Sequence, residues 1–181
     1  MCAIAAIDNG TRSGFLTFVT FLMLAKGLPE GWALQAIPAL LMIGGMVGKL
    51  ACGDLEERLG VIRTVIVTEV ATAGGILLIL VLPNIAAFAV LPLLGIALNG
   101  TSSVLYGTVG DLVERDRQSR AFGLFYTVGT VSSIAAPLAY GMLGDWIGIE
   151  TTVAIAAGLV LLTLPFTLAS RPAVSWRATA T

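Results

Sequence analysis

The sequence contains no histidine. That excludes His-based nucleophilic triads, HExxH zinc sites and haem ligation through imidazole. Cysteine is nearly absent too. Cys2 and Cys52 are far apart and stand in no metal-ligand spacing, so both read as small apolar fillers, and no metal or cofactor site is expected. Charge is sparse: Asp, Glu, Lys and Arg make up 12% of the chain, against about a quarter in ordinary soluble domains. The net charge of −1 argues against a nucleic-acid partner. Residues 1–7 have neither a basic start nor a cleavage site, so no signal peptide is expected.

What fills the chain instead is apolar. Hydrophobic residues account for 57% of its 181 positions, and mean hydropathy is +0.95. A soluble fold of this size has too little interior to hide that much apolar surface, so the excess must face lipid. Unpaired backbone is costly in hydrocarbon, and a spanning helix needs about 20 residues, so each long run is read as a helix. The clear runs are about 31–52, 61–82, 85–109, 120–143 and 151–169. The first stretch, 14–25 (GFLTFVTFLMLA), is too short to cross alone. It reaches spanning length if Cys2 to Ile7 belong to the same helix, which puts Asp8, Asn9, Thr11 and Arg12 inside the membrane toward one end. The alternative is a soluble N-terminal stub and a helix starting near Thr11. The expected fold is all-α, with six transmembrane helices in residues 1–170 and a short cytoplasmic tail at 171–181.

Gaps rich in Gly, Pro or charge fall at 27–30, 53–60, 83–84, 110–119 and 144–150. With six spans both termini lie on one side. Of the ten Lys and Arg, Lys49, Arg58, Arg63, Arg115, Arg117, Arg120, Arg171 and Arg177 then share that side. Lys26 alone lies on the other, and Arg12 is within the first span. This bias makes the termini and the 53–60 and 110–119 loops cytoplasmic, in a cell (plasma or inner) membrane. Gly44, Gly45 and Gly48 give the second span a small-residue face for close helix approach, and Gly141 with Gly144 do the same late in the fifth. Pro137, inside the fifth span, is expected to kink it and serve as a hinge.

Three stretches carry a recognisable pattern. GKLACGDLEERLGVIR, between the second and third spans, resembles the loop signature of the major facilitator superfamily (MFS), with Gly53, Asp54, Arg58 and Gly60 at its core positions. The usual Asp-Arg adjacency is stretched here by Leu55, Glu56 and Glu57. SRAFGLFYTVGTVSSIAAPLAYGMLGDWIG resembles the eleventh helix of drug-efflux-type members, and AIDNGTRSGFLTF resembles their seventh. The likeness covers essentially the whole chain. It implies the C-terminal six-helix half, spans seven to twelve, of a twelve-helix carrier, itself a 3+3 inverted repeat. It also implies small-solute transport by alternating access, commonly proton-driven, with the opposing cavity wall supplied by a missing N-terminal half or a second copy.

Several polar residues are candidates for that work. Asp8 and Arg12 stand at i and i+4, where side chains can meet. They read either as a substrate-orienting or proton-coupling pair or as an interfacial anchor. Glu69 is isolated in the third span. A carboxyl without a counter-charge in hydrocarbon favours its protonated form, so Glu69 is a candidate coupling acid, or else a partner for polar groups on a neighbouring helix. Asn99, Ser103 and Tyr106 form one stripe on the fourth span, for substrate hydrogen bonds or interhelical ones. Tyr126, Thr130 and Ser133 form a similar stripe on the fifth. Asp54 and Arg58 read as a gate latch or as a topology signal. The sequons at Asn9 and Asn99 fall in or beside spans and are discounted. An intramembrane enzyme is not expected, because a Ser-His dyad has no histidine to draw on. A non-transporting helical subunit that scaffolds partners remains the alternative.

Overall fold

The structure, a computed structural model, describes residues 2–169, except the side chains of 32–34 and 111–112. The expected tail, with Arg171 and Arg177, lies outside the described residues. The chain forms helices α1 (Cys2–Ala25), α2 (Glu30–Leu59), α3 (Val61–Val81), α4 (Asn84–Leu112), α5 (Gln118–Ile147), α6 (Ile149–Leu161) and α7 (Thr163–Ala169), with a 3-10 turn at Arg115–Arg117. No strand occurs among the described residues. Five segments are long and apolar enough to cross a bilayer: Gln35–Leu59, Val61–Val81, Asn84–Gly110, Arg115–Ile147 and Ile149–Ala169. α1 has comparable length, 24 residues, and joins Cys2–Ile7 to the apolar run without a break. Its polar quartet Asp8, Asn9, Thr11 and Arg12 sets it apart from the other five.

Helix boundaries differ from the sequence expectation in two ways. Residues 53–59 are not a loop, because α2 continues through them to Leu59. Leu55, Glu56, Glu57 and Arg58 are good helix formers, and Arg58 in the last turn complements the helix dipole. The helix ends only at Gly60, with φ 78° and ψ 158°, a backbone region that is essentially glycine-only. The same happens in α5, which runs on through 144–147 to Gly148 at φ 86° and ψ 156°. The second difference is in the last span, which breaks at Leu162. Pro165 has no N–H to give the Leu161 carbonyl, and its ring crowds that oxygen, so the helix restarts at Thr163 with proline in its first turn. Pro38, Pro92 and Pro137 all sit inside continuous helices.

The two glycine turns are alike in detail. Gly60 N–H donates to the Glu56 carbonyl and Gly148 N–H to that of Gly144. The Thr64 hydroxyl bonds the Gly60 carbonyl at 3.0 Å, and the Thr152 hydroxyl bonds that of Gly148 at 2.8 Å. α2 and α5 are each 30 residues long. One constant offset in numbering carries Glu30 to Gln118, Leu59 to Ile147, Val61 to Ile149 and Val81 to Ala169.

α1 packs on α5 and α6, α2 on α4, and α3 on α4 and α6. The α2–α4 contact is made through glycine. A Cβ on Gly44 would strike the Pro92 carbonyl oxygen, one on Gly48 that of Ile96, and one on Gly95 would come within 2.5 Å of the Leu41 oxygen. A Cβ on Gly141 would meet the Phe18 ring at 3.9 Å, and one on Gly144 would meet that ring at 3.5 Å and Thr152 Oγ1 at 3.9 Å. Their interface is therefore looser than the α2–α4 one. At one end of the bundle Lys26, between α1 and α2, donates from Nζ to the carbonyls of Ile79 (2.5 Å), Leu80 (2.7 Å) and Leu82 (3.1 Å). Its ammonium thus satisfies the free carbonyls at the end of α3, and its own carbonyl receives Asn84 Nδ2 at 2.9 Å. The isolated Lys that runs against the charge bias is a helix cap.

Two outcomes are expected in thermal unfolding of detergent-solubilised protein. Gly44→Val should cost about 1–3 kcal/mol or more by overpacking against Pro92, whereas Gly74→Ala, with open space beside it, should be neutral or slightly stabilising. Lys26→Met should cost about 1.5–3 kcal/mol, the usual worth of hydrogen bonds to a charged group.

Candidate functional site

The apolar core is divided in two. One cluster joins Phe15, Val19 and Met23 of α1 to Ile37 and Leu41 of α2, Ile76 and Ile79 of α3 and Leu91 to Leu98 of α4. The other joins Ile4 and Ala5 to Cys52, Val65, Val104, Leu105 and Phe125. On α1, α3 and α4 the residues between these clusters are polar and buried: Asp8, Asn9 and Thr11, then Thr68, Glu69 and Thr72, then Thr101 and Ser102. Asp8 lies about 9 Å along α1 and Glu69 about 12 Å along α3, at 1.5 Å rise per residue, so the layer is deep in the helical length. Water is scarce there, and each polar group must find its partner within the protein.

Arg12 is the centre of this layer. Its Nη2 donates to Asn9 Oδ1 at 2.9 Å and its Nη1 to Asn99 Oδ1 at 3.3 Å, which ties α1 to α4. Both amides are aimed by their own helices. Asn9 Nδ2 bonds back to the Ala5 carbonyl at 2.9 Å and Asn99 Nδ2 to that of Gly95 at 3.0 Å, leaving each Oδ1 for the guanidinium. Two glycines make room for them: a Cβ on Gly45 would come within 2.6 Å of Asn99 Nδ2, and one on Gly129 within 3.1 Å of Asn9 Nδ2. The Gly44–Gly48 face therefore does more than pack helices, since it also seats an amide of the polar layer.

Asp8 is 5% exposed and Glu69 1%. Asp8 lies in electrostatic range of Arg12 and points toward Ser102. Its Oδ2, the Arg12 Nε and the Ser102 Oγ nevertheless make no hydrogen bond. The expected i, i+4 pairing of Asp8 with Arg12 is thus a through-space interaction, because Asn9 and Asn99 take the guanidinium's Nη groups. Glu69 faces Thr163 at the α6–α7 break and is in electrostatic range of Asp8; its Oε1 has no hydrogen bond. Beside it Thr101 donates to Thr68 Oγ1 at 2.8 Å, joining α4 to α3.

Asn99, Ser103 and Tyr106 share one half-buried face of α4, as their spacing predicts. Tyr106 meets Phe125 of α5 edge-on at 5.0 Å and lies in electrostatic range of Arg12, Asp8 and Tyr126. On α5, Tyr126 is exposed at 64%, Thr130 is exposed, and Ser133 is half-buried and accepts Ser13 Oγ at 2.8 Å through its carbonyl. Gly53, Asp54, Arg58 and Gly60 stand apart from this layer, exposed at the end of α2. Pro137 lies on α5, near an apolar groove of about 310 Å³ lined by Ala6, Gly10, Ala136 and Tyr140. Sequence reasoning passed over Thr163 and the clamping role of Asn9. The signal for Asn9 was its i, i+3 spacing to Arg12; Thr163 had none beyond nearness to Pro165.

The expected consequence is that Gly45→Ala displaces the Asn99 amide and lowers thermal stability by about 1–3 kcal/mol. The effect should shrink in an Asn99→Ala background, a coupling measurable by a double-mutant cycle.

The chain matches the Major Facilitator Superfamily over residues 1–181. It is 26% identical to the gentisate transporter of Corynebacterium glutamicum over 159 residues, covering 83% of this chain and 36% of that protein. It is 29% identical to the lysophospholipid transporter LplT of Salmonella newport over 175 residues, covering 91% of this chain and 42% of that protein, and equally similar to LplT of Salmonella typhimurium. The chain spans about two fifths of the length of these relatives. With a match along its entire length, this chain belongs to the Major Facilitator Superfamily.

Proposed function

We propose that this chain forms the C-terminal six-helix half of a secondary carrier that moves a small organic solute by alternating access. It is a multi-pass membrane protein of a transporter family, and the relatives named above are by their names transporters of gentisate and of lysophospholipid. The observation that carries the reading is the polar layer. A purely scaffolding bundle gains nothing from burying Asp8, Glu69 and a half-buried Arg12 between two apolar cores, where each charge costs about 2.5–3.5 kcal/mol on insertion scales. α1 is taken as the sixth span, with Asp8 and Arg12 inside it. The matched glycine turns and helix lengths of α2–α3 and α5–α7 support a 3+3 inverted repeat.

The second cavity wall is supplied by an N-terminal half or by a second copy. α5 supports this. Its only buried residues are Phe125, Gly129 and Tyr140, while Leu124, Ile134, Leu138, Met142 and Trp146 are exposed. Asp54 and Arg58 at the end of α2 latch against that partner in one conformation, and Pro137 is the hinge of α5. With the Arg-rich ends of α2, α4 and α5 cytoplasmic, both termini face the cytoplasm of a plasma or inner membrane. Transport is outward and proton-coupled, in the manner of the drug-efflux-type members that α1 and α5 resemble. Asp8 and Glu69 carry the proton, and Asn99, Ser103 and Tyr106 face the solute.

The test is solute flux in proteoliposomes with and without an imposed proton gradient. Glu69→Gln and Asp8→Asn are expected to lower gradient-driven flux about tenfold or more, the equivalent of roughly 1.4 kcal/mol of coupling, while sparing gradient-independent exchange. Unchanged driven flux in both variants would remove the proton from the mechanism. No flux of any kind from the assembled carrier would favour the scaffold reading.

A further inference from the structure

Among the described residues, the polar layer holds one permanent cation, Arg12. Lys26 caps α3, Lys49 is exposed on the body of α2, and Arg58, Arg63, Arg115, Arg117 and Arg120 lie toward the helix ends or in turns. A guanidinium does not discharge, so its positive charge must be balanced where it sits. The structure balances it poorly. Both acceptors of its Nη groups are neutral amide oxygens, the bond to Asn99 is long at 3.3 Å, and Nε has no acceptor. Asp8 opposes the charge only through space. Glu69 lies across the layer against Thr163, almost fully enclosed.

Arg12 is also reachable. It is only half-buried, on the side of the half-buried Asn99 and Tyr106 of α4, and Tyr106 lies in electrostatic range of both Arg12 and the exposed Tyr126 of α5. The hydroxyls of Ser103, Tyr106 and Tyr126 can each donate a hydrogen bond. A planar fork of N–H donors with a charge to spare, with the Tyr106 hydroxyl in range, suits an acidic oxygen pair. An ammonium group would meet repulsion from the guanidinium, and the unengaged acceptors of the layer, Asp8 Oδ2, Glu69 Oε1 and Ser102 Oγ, are buried. We propose that Arg12, aimed by Asn9 and Asn99 and with the Tyr106 hydroxyl in range, is the subsite for the acidic group of an organic anion. This rests on the transport reading above and assigns its substrate class. An arriving carboxylate takes the Nη1 position that Asn99 Oδ1 holds loosely. Asp8 is then the competitor for the same charge.

That competition gives the test its sign. Binding of benzoate, phenyl phosphate, neutral benzamide and benzylammonium is measured by calorimetry on the full chain in nanodiscs at fixed ionic strength. At least one of the two anions is expected to bind about tenfold or more tighter than benzamide. Arg12→Gln should abolish that preference and Arg12→Lys should keep part of it. Asp8→Asn, which removes the competing carboxylate, should tighten anion binding. Should Arg12→Gln fail to fold, the Lys and Asn variants still decide. Equal or tighter binding of benzamide or benzylammonium, anion binding indifferent to Arg12→Lys, or weaker anion binding in Asp8→Asn would overturn the subsite. Flux of the same probes is followed in parallel. Carriage of neutral or cationic probes without anion preference overturns the subsite and leaves transport standing. Arg12-dependent anion binding without flux of any probe upholds the subsite and removes transport.

Discussion

The fold turns on one constraint: a guanidinium that cannot lose its charge has to be held in a region where water is scarce. Arg12 meets it with two asparagine oxygens, one from its own helix and one from α4. Each asparagine spends its amide N–H on the carbonyl four residues earlier, so neither is free to turn away. The clamp ties α1 to α4 at the level where the two apolar cores stop. A leucine there would merge the cores into one. The arginine keeps them apart and draws Asp8, Ser102 and Tyr106 to the same depth.

Packing elsewhere serves that clamp. The close approach of α2 to α4 is usually read in membrane proteins as van der Waals contact between small residues. Here the same glycine face that admits the Pro92 and Ile96 carbonyls also admits the Asn99 side chain beside Gly45. A larger residue at 45 would force either the helices apart or the amide out of line. Gly129 plays the matching part for Asn9 across the α1–α5 contact. Stability and site geometry therefore share residues, and a substitution at either glycine acts on both.

How much of this was legible in the sequence follows from what each signal depends on. Hydropathy and length depend only on the solvent, and they gave the helices, including the reach of α1 back to Cys2 that carries Asp8 and Arg12 inward. Spacing along one helix is local, and it gave the Asn99–Ser103–Tyr106 face. The ends of α2 and α5 were misjudged because charge was taken as a sign of loop, although Glu, Leu and Arg extend a helix as readily beyond the bilayer as within it. The break at Leu162 was written in Pro165 and was missed, because an apolar run hides a missing N–H. Asn9 as a clamp was within reach of its i, i+3 spacing to Arg12, but Lys26 as a cap and Thr163 beside Glu69 depend on a partner more than fifty residues away, and no periodicity reports that.

The atoms left without partners bear on motion. Asp8 Oδ2, Ser102 Oγ and Glu69 Oε1 are buried without hydrogen bonds in this conformation, within one layer that touches α1, α3, α4 and α7. A buried polar atom without a partner costs about 1–3 kcal/mol, so this arrangement is held a few kcal/mol above what full pairing would give. A carrier that alternates between two states cannot let either become a deep well, because a ligand moves the equilibrium only by its difference in affinity for the two. A fully satisfied layer would lock the helices. Under the alternating access proposed above, leaving three oxygens without hydrogen bonds keeps the energy gap within what a ligand's difference in affinity can reverse.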